Sequence, residues 1–209
     1  MLTEEAAREL LAPFELALTP AQISQLLTYL DLLLRWNRRI NLTAIRSPEE
    51  CVTRHFGESL YLAHWVELRG SLLDIGSGAG FPGLALKIAF PALSVTLLEP
   101  VTKKRAFLKE VARVCGMNCV EARGERLEDF AGIEPTPCYD SVTARAVGRW
   151  NELISLAADC LKPGGQIFLW LSKKQAPGLG EGEGRIDWGK AIPIPLSRQG
   201  EIWCGVKNG

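Results

Sequence analysis

The patterning of this chain predicts an α/β fold: a mostly parallel sheet covered on both faces by helices, preceded by a helical N-terminal extension. Three observations lead there. From Ser71 onward, short apolar runs alternate with helical stretches. Before that point, apolar residues recur only at helical spacing. The first of the short runs, Leu72–Ile75, leads directly into a glycine-rich turn, Gly76-Ser77-Gly78-Ala79-Gly80.

The extension, residues 1–66, opens with a short helix around Glu4–Leu11. Thr19-Pro20-Ala21-Gln22 has the form of a capping box with proline at the first helical position. Ile23, Leu26, Leu27, Leu30, Leu33 and Leu34 then give that helix one core face. Ser47-Pro48-Glu49-Glu50 repeats the box and starts another helix. In residues 67–209, strands are expected at Leu72–Ile75, Val95–Leu98, Asn118–Glu121, Ser141–Ala144 and Ile167–Leu171. Helices are expected at Pro82–Ala89, Val101–Cys115 and Asn151–Leu161. Ile202–Val206 has no helix after it and is expected to pair antiparallel at the end of the sheet. Gln175–Lys190 is glycine-rich without an apolar period, and reads as a mobile loop in preference to a functional lid.

A chain of 209 residues makes about one domain with some extra chain, and needs neither disulfides nor a structural metal to fold. Lys plus Arg is 24 and Asp plus Glu is 24, which argues against a histone-like binder of nucleic acid but leaves room for a local basic patch. The six cysteines contain no C-x-x-C pair, and the two histidines, His55 and His64, lie far along the chain from Cys115 and Cys119, so no metal site is expected. Reduced cysteines, an acidic N-terminus and the lack of an apolar run near ~18 residues fit a soluble, cytoplasmic protein that does not contact membranes.

Residues 72–83 carry the chemistry. Glycines after a strand let a ligand approach the backbone, and the helix that follows offers free N–H groups and positive potential. Two frames compete. Gly78-x-Gly80-x-x-Gly83 fits the dinucleotide pattern, but starts two residues after the strand has ended. Asp74-x-Gly76-x-Gly78-x-Gly80 starts at the strand end and resembles the first motif of S-adenosylmethionine-dependent methyltransferases. An acid there suits a ligand with an ammonium and a sulfonium, and would repel a pyrophosphate. Glu99, at the end of the next strand, can accept both hydroxyls of an adenosine ribose, or can serve as an acid at the start of the following helix.

Further segments carry a closer resemblance: Trp36-Asn37-Arg38-Arg39-Ile40-Asn41-Leu42-Thr43-Ala44-Ile45-Arg46, Arg54-His55-Phe56, Lys103-Lys104-Arg105-Ala106-Phe107-Leu108 and Thr143-Ala144-Arg145-Ala146-Val147. With the glycine loop, and in this order, they resemble the ribosomal small-subunit methyltransferase G family, also called glucose-inhibited division protein B. The resemblance runs from about Thr19 to Gly165. It implies a Rossmann-like class I methyltransferase fold with a seven-stranded, mostly parallel sheet. It also implies transfer of a methyl group from S-adenosylmethionine to N7 of one guanine in 16S ribosomal RNA, free or within the small ribosomal subunit. Carried over, Gly76, Phe81, Leu127, Glu128 and Arg145 would lie at the cofactor beside Asp74, Gly78, Gly80 and Glu99, with Arg145 and His55 at the catalytic face. Glu58 stands where the family usually has an aspartate, and Ser172-Lys173-Lys174 replaces its usual Lys-Gly.

RNA contact needs positive charge. Arg35, Arg38, Arg39, Arg46 and Arg54 cluster in the extension and are expected to face RNA, the alternative for the first three being a solvated helix end that favours the dipole. Trp36 reads as core in preference to a base-stacking platform, and His64 as structural. Lys103-Lys104-Arg105 opens a helix, where cations are unfavourable; a phosphate contact and a solvated face both fit. A monomer is expected. The competing functions are a methyltransferase of small molecules or proteins, favoured if the arginines were buried in ion pairs, a dinucleotide-dependent oxidoreductase, and an RNA-binding protein that keeps the cofactor fold without turnover.

Overall fold

The computed structural model describes residues 2–133, 138–175 and 184–209. Local caps set the N-terminal helices. Thr3 accepts the Ala6 N–H at the start of α1 (Glu4–Leu11), with Glu4 and Glu5 at the positive end of the dipole. At α2 (Pro20–Asn37) the capping box closes: the Gln22 N–H donates to the Thr19 hydroxyl at 3.3 Å, and the Thr19 N–H donates to Gln22 Oε1 at 2.8 Å. Ser47 caps the next segment, but that box stays half-made, because the Glu50 carboxylate pairs with Arg54 one turn on at 2.8 Å. The segment continues as α3 (Pro48–Cys51), a π-helical turn (Val52–Gly57), α4 (Glu58–Leu60) and α5 (Leu62–Trp65). The wide turn carries Arg54, His55 and Phe56, and such turns are frequent at functional sites.

The strands are β1 (Ser71–Ile75), β2 (Ser94–Leu98), β3 (Val120–Arg123), β4 (Tyr139–Arg145), β5 (Leu161–Ser172), β6 (Ile186–Trp188), β7 (Ile192–Pro193) and β8 (Gly200–Lys207). Their order is β3-β2-β1-β4-β5-β8-β6, with the two-residue β7 alongside β8. The first five run parallel, and β8 lies antiparallel to both β5 and β6. Helices α6 (Gly83–Ala89), α7 (Thr102–Val114), α8 (Leu127–Ile133) and α9 (Trp150–Cys160) make the crossovers. Seven strands form a continuous path, as expected, and β7 beside it makes the sheet eight-stranded.

Four details differ from the sequence reading. β3 starts at Val120, because Cys119 takes a left-handed backbone conformation with φ 55°. α8 was not expected; it offers only Leu127 and Phe130 to the core, too few for a period. The antiparallel strand is not outermost, because β6 covers it. Part of the expected loop at 175–190 is that strand: Ile186 packs over Gly205, where a Cβ would overlap it. Residues 176–183 of that loop lie outside the described residues.

Alternation along the strands splits the core in two. On one face Leu72, Leu97 and Phe168 pack with Phe14, Tyr29, Leu33, Phe56, Leu84 and Phe107. On the other, Leu73, Val142 and Ile167 pack with Phe130, Leu153 and Ala157. The extension therefore shares a core with the sheet. Trp36 belongs to that first layer, its ring 5.6 Å from Phe107.

Asn37, buried at the end of α2, shapes the turn that follows. Its Oδ1 accepts the N–H groups of Leu42 and Thr43 at 2.9 and 3.0 Å, and its Nδ2 donates to the Thr43 carbonyl at 2.9 Å. An Asn37→Ala chain should lose about 1–2 kcal/mol of stability, because the part-buried Thr43 N–H loses its acceptor and the Leu42 N–H keeps only the Ile40 carbonyl. Urea unfolding measures this, and an unchanged midpoint would remove Asn37 from that role.

Candidate active site

In an open α/β sheet, ligands bind beyond the carboxyl ends of the strands where the strand order reverses. Here that point lies between β1 and β4, and a cleft of about 390 Å³ opens there. Ile75 and Gly76 end β1 on its floor, Leu98 and Pro100 come from the end of β2, and Leu127 and Glu128 from the first turn of α8. Val147 and Leu153 form much of the opposite wall. The size suits a small organic ligand. The apolar walls suit a planar ring, and Glu125, Glu128 and Glu152 make part of the rim acidic.

The glycine loop is built to leave room on one side only. Gly80, with φ 90°, sits where a Cβ would overlap the Tyr29 hydroxyl, so it packs inward on the extension. Gly78, with φ 56°, has only the Gly76 carbonyl oxygen, at 3.8 Å, near the place where a Cβ would project. A left-handed backbone at both positions favours glycine. The Gly78 N–H donates to Glu99 Oε2 and the Val101 N–H to Glu99 Oε1, both at 2.9 Å. Glu99 is buried and ties the loop to the start of α7; each of its oxygens keeps acceptor capacity for a hydroxyl. Arg105 supports the same turn by donating to the Glu99 carbonyl at 2.8 Å and to the Pro100 carbonyl at 2.6 Å. The Lys103–Arg105 run thus has one member with a structural task.

Asp74 lies under the loop. It is fully buried; Oδ1 accepts the Thr143 hydroxyl at 2.8 Å, while Oδ2 has no hydrogen-bond partner among the described residues. Burial pushes its carboxyl up to about 6, against the pull of the Thr143 hydroxyl and with Glu99 adding to the rise. Asp74 therefore reaches a ligand in the cleft by its field and through the loop, not by direct contact.

Phe81 also turns away from the cleft. Its ring stacks on Tyr29 at 5.2 Å and on His55 at 4.8 Å, with Phe56 edge-on at 5.0 Å. His55 shares a 2.7 Å hydrogen bond with the Thr43 hydroxyl. Burial, with the Arg145 and Arg54 cations, holds its imidazole down to about 3, so it is neutral at physiological pH. Arg145, at the end of β4, points into the extension. It donates to Glu58 Oε2 at 2.6 Å, to the Arg54 carbonyl at 2.8 Å and to the Ser59 hydroxyl at 3.1 Å. Burial pushes the Glu58 carboxyl up, and the two arginines oppose this. Trp170, beside Arg145 on β5, donates to the Glu58 carbonyl at 2.8 Å.

The structure thus brings Gly76, Leu127 and Glu128 to the cleft, sets Asp74, Gly78, Gly80 and Glu99 around its loop, and places Phe81, His55 and Arg145 on the extension side. Tyr29, Thr143 and Ser59 were not singled out as site residues. Tyr29 sits in the helical stripe as one more core position, and no spacing signals that its hydroxyl donates to the Ala79 carbonyl. Arg35, Arg38, Arg39, Arg46 and Arg54 are all exposed. Arg35 and Arg54 pair with Asp31 and Glu50 in open solvent, and Arg38, Arg39 and Arg46 have no ion pair among the described residues. No group of three metal-binding side chains occurs among the described residues, and no helix there is long and apolar enough to cross a membrane.

The strand order, the antiparallel β8 and the glycine loop under a cleft define a class I methyltransferase. The fold agrees with solved structures: a ribosomal protein L11 methylase from Lactobacillus delbrueckii subsp. bulgaricus has a TM-score of 0.62 at 14% identity, covering 75% of this chain and 79% of that one. TYW2 of P. horikoshii, in complex with MeSAdo, has a TM-score of 0.60 at 16% identity over 74% and 63%. A family model described as rRNA small subunit methyltransferase G matches residues 22–191, and the chain belongs to that family. A ribosomal RNA small subunit methyltransferase G of Chloroflexus aggregans is 41% identical over 168 residues, 79% of this chain and 71% of the relative. One from Lactiplantibacillus plantarum is 34% identical over 209 residues, 94% and 86%.

Asp74 gives a test that separates stability from binding. Its folded-state pKa lies above its ordinary 3.8, so between about pH 4 and 6 the folded chain holds a proton that the unfolded chain has lost, and this group makes stability fall as pH rises through that window. Asp74→Asn should remove that slope and raise Tm at pH 7 by a few degrees, roughly 1–3 kcal/mol, while weakening cofactor binding. Melting curves at pH 4.5 and 7 with calorimetric titration check both; a lower Tm at pH 7 would sink the account.

Proposed function

We propose that the chain transfers a methyl group from S-adenosylmethionine to N7 of one guanine in 16S ribosomal RNA. What carries the reading is that the matched span, residues 22–191, includes both the cleft and the arginine-bearing part of the extension packed against its loop. The donor set fits the cofactor. Leu98, Pro100, Leu127 and Leu153 offer an apolar slot for adenine, Glu99 has acceptors for ribose hydroxyls, and the buried Asp74 with its unpartnered oxygen favours a cation above it. Bound there, S-adenosylmethionine supplies an electrophilic methyl group on a sulfonium.

The chain's own residues then have to hold and align rather than move protons. Guanine N7 carries an in-plane lone pair and no proton, so no general base is required, and the rate gain comes from orientation and the exclusion of water. A neutral His55, fixed by Thr43 and stacked on Phe81, is suited to positioning. The exposure of all five arginines favours an RNA acceptor over a small molecule, since none of them is consumed in a buried pair.

Incubation with radiolabelled S-adenosylmethionine and small ribosomal subunits lacking their own N7 methylation tests the reaction. Label on a single 16S guanine as 7-methylguanine is expected; cofactor binding without label would move the function to another acceptor or to binding alone. The double variant Arg38→Ala with Arg39→Ala should bind RNA more weakly and with a flatter salt dependence, the slope falling by up to about 1 for each phosphate no longer neutralised. An unchanged slope would take both residues out of the interface.

A further inference from the structure

A second cavity, of about 340 Å³, lies on the extension side of β4. Arg54 and Glu58 form its inner wall, with Thr53 and Phe14 beside them, and Leu196 and Arg198 close it from the turn between β7 and β8. The run from Arg145 to Val147 joins the walls of the two cavities. Val147 lines the cofactor cleft, while the Arg145 side chain holds Glu58 and the Arg54 carbonyl on the far side. A donor in one cavity and an acceptor base in the other would meet across the end of β4.

Glu58 on the inner wall is an acceptor, held at 2.6 Å by the Arg145 guanidinium, which lies next to the cavity and not among its lining residues. Glu58 gives one oxygen to Arg145; its other oxygen, Oε1, has no hydrogen-bond partner among the described residues. Arg145 uses three of its N–H groups on Glu58, Arg54 and Ser59, which leaves two of a guanidinium's five. Resting on the reaction proposed above, we infer that this cavity takes the flipped target guanine, with Glu58 accepting from its N1–H and N2 amino group and Arg145 donating to O6. On guanine, O6 and N1–H are neighbours, an acceptor next to a donor, and the bonded pair of Glu58 and Arg145 is the complement of that edge. Adenine presents a donor and an acceptor in the reverse order and meets two mismatches. Extruded bases are read along this edge and covered by apolar groups; Leu196, 69% exposed in a left-handed backbone conformation with φ 63°, is placed to serve as that cover.

The assignment leaves N7 free, as the chemistry demands: N1–H and the N2 amino group lie on the far side of the base, and the bond to O6 comes from its N1 side. It also gives Glu58 an effect on rate. Methylation places a positive charge on the purine, and a carboxylate on N1–H is bound more strongly as that charge develops. The pair of Arg145 with Glu58 is therefore more than a tie between sheet and extension: it specifies the base.

Small subunits reconstituted with 16S RNA carrying either guanine or inosine at the mapped target position test this, since inosine lacks only the N2 amino group. The wild-type chain should show roughly 10-fold higher kcat/KM on guanine. Glu58→Gln should lose roughly 100-fold on guanine, mostly in kcat, and bring the guanine-to-inosine ratio near one. Cofactor affinity should stay unchanged. An unaltered ratio in Glu58→Gln, or a wild-type chain indifferent to inosine, overturns the assignment while leaving the methyltransferase reading intact. No label on any 16S guanine with the wild-type chain would overturn that reading and this one together. Should Glu58→Gln fail to fold, Thr53→Phe fills the cavity without touching the ion pair. It should raise KM for subunits at least roughly 10-fold at constant cofactor affinity, and an unchanged KM refutes the pocket.

Discussion

Phe81 sits at the end of the glycine loop with its ring stacked against Tyr29 from α2 and His55 from the π-helical turn. A glycine-rich loop is entropically costly to hold in one shape, and a ring at its tip gives packing partners something to grip. Stacked and edge-on aromatic pairs contribute about 0.5–1.5 kcal/mol each beyond their burial, and Phe81 makes three with Tyr29, His55 and Phe56. The Tyr29 hydroxyl adds a bond to the Ala79 carbonyl within the loop. The extension thus acts as the mould for the loop, which explains why its core is continuous with that of the sheet. It also links the two sides of the site: the His55 that grips Phe81 is one residue from Arg54, whose carbonyl binds Arg145.

The electrostatic arrangement around this stack is costly for the free chain. Asp74 is buried with one oxygen unpartnered among the described residues, and His55 is held neutral by burial and by two nearby cations. Neither helps folding at neutral pH: the first costs stability as pH rises through about 6, and the second would cost it as pH falls below its ordinary value. Groups kept in such environments are characteristic of sites rather than of scaffolding. For Asp74 the compensation proposed is a cationic ligand above the loop. For His55 it is a rigid, uncharged face beside the acceptor, where a proton on the ring would add repulsion to a base that becomes cationic on methylation.

Much of this was legible in the chain itself. The alternation after Ser71, the capping box at Thr19 and the glycine loop are local signals, and each appears where it was expected because local chemistry sets it. The strand pairing of Ile186–Trp188 and helix α8 were not legible, since three residues make no period and α8 buries only two side chains. The site divided in the same way. Glycines with positive φ and acids at strand ends are local requirements and stand out. The direction of Phe81, His55 and Arg145 is decided by tertiary partners 26 to 91 residues away in sequence, and so the sequence reading put all three in one site without separating the cleft from the extension side.

That separation bears on how one fold can keep its cofactor site while changing its acceptor. The cleft is built from β1, β2, α8 and the segment after β4, all parts of the common α/β frame. The opposite cavity is built from the extension and from the turn between β7 and β8, which belong to the two ends of the chain. The end of β4 joins them, with residue 145 anchored to the extension and residue 147 lining the cleft. A change of acceptor therefore draws on the extension, the turn between β7 and β8 and residue 145, whereas a change of donor would disturb the loop, its buried aspartate and the ring stack together. On this view the part of the sequence most specific to one substrate is the segment from Trp36 to Ser59, because there a single stretch of chain moulds the loop, exposes arginines to RNA and supplies the carboxylate that faces the base.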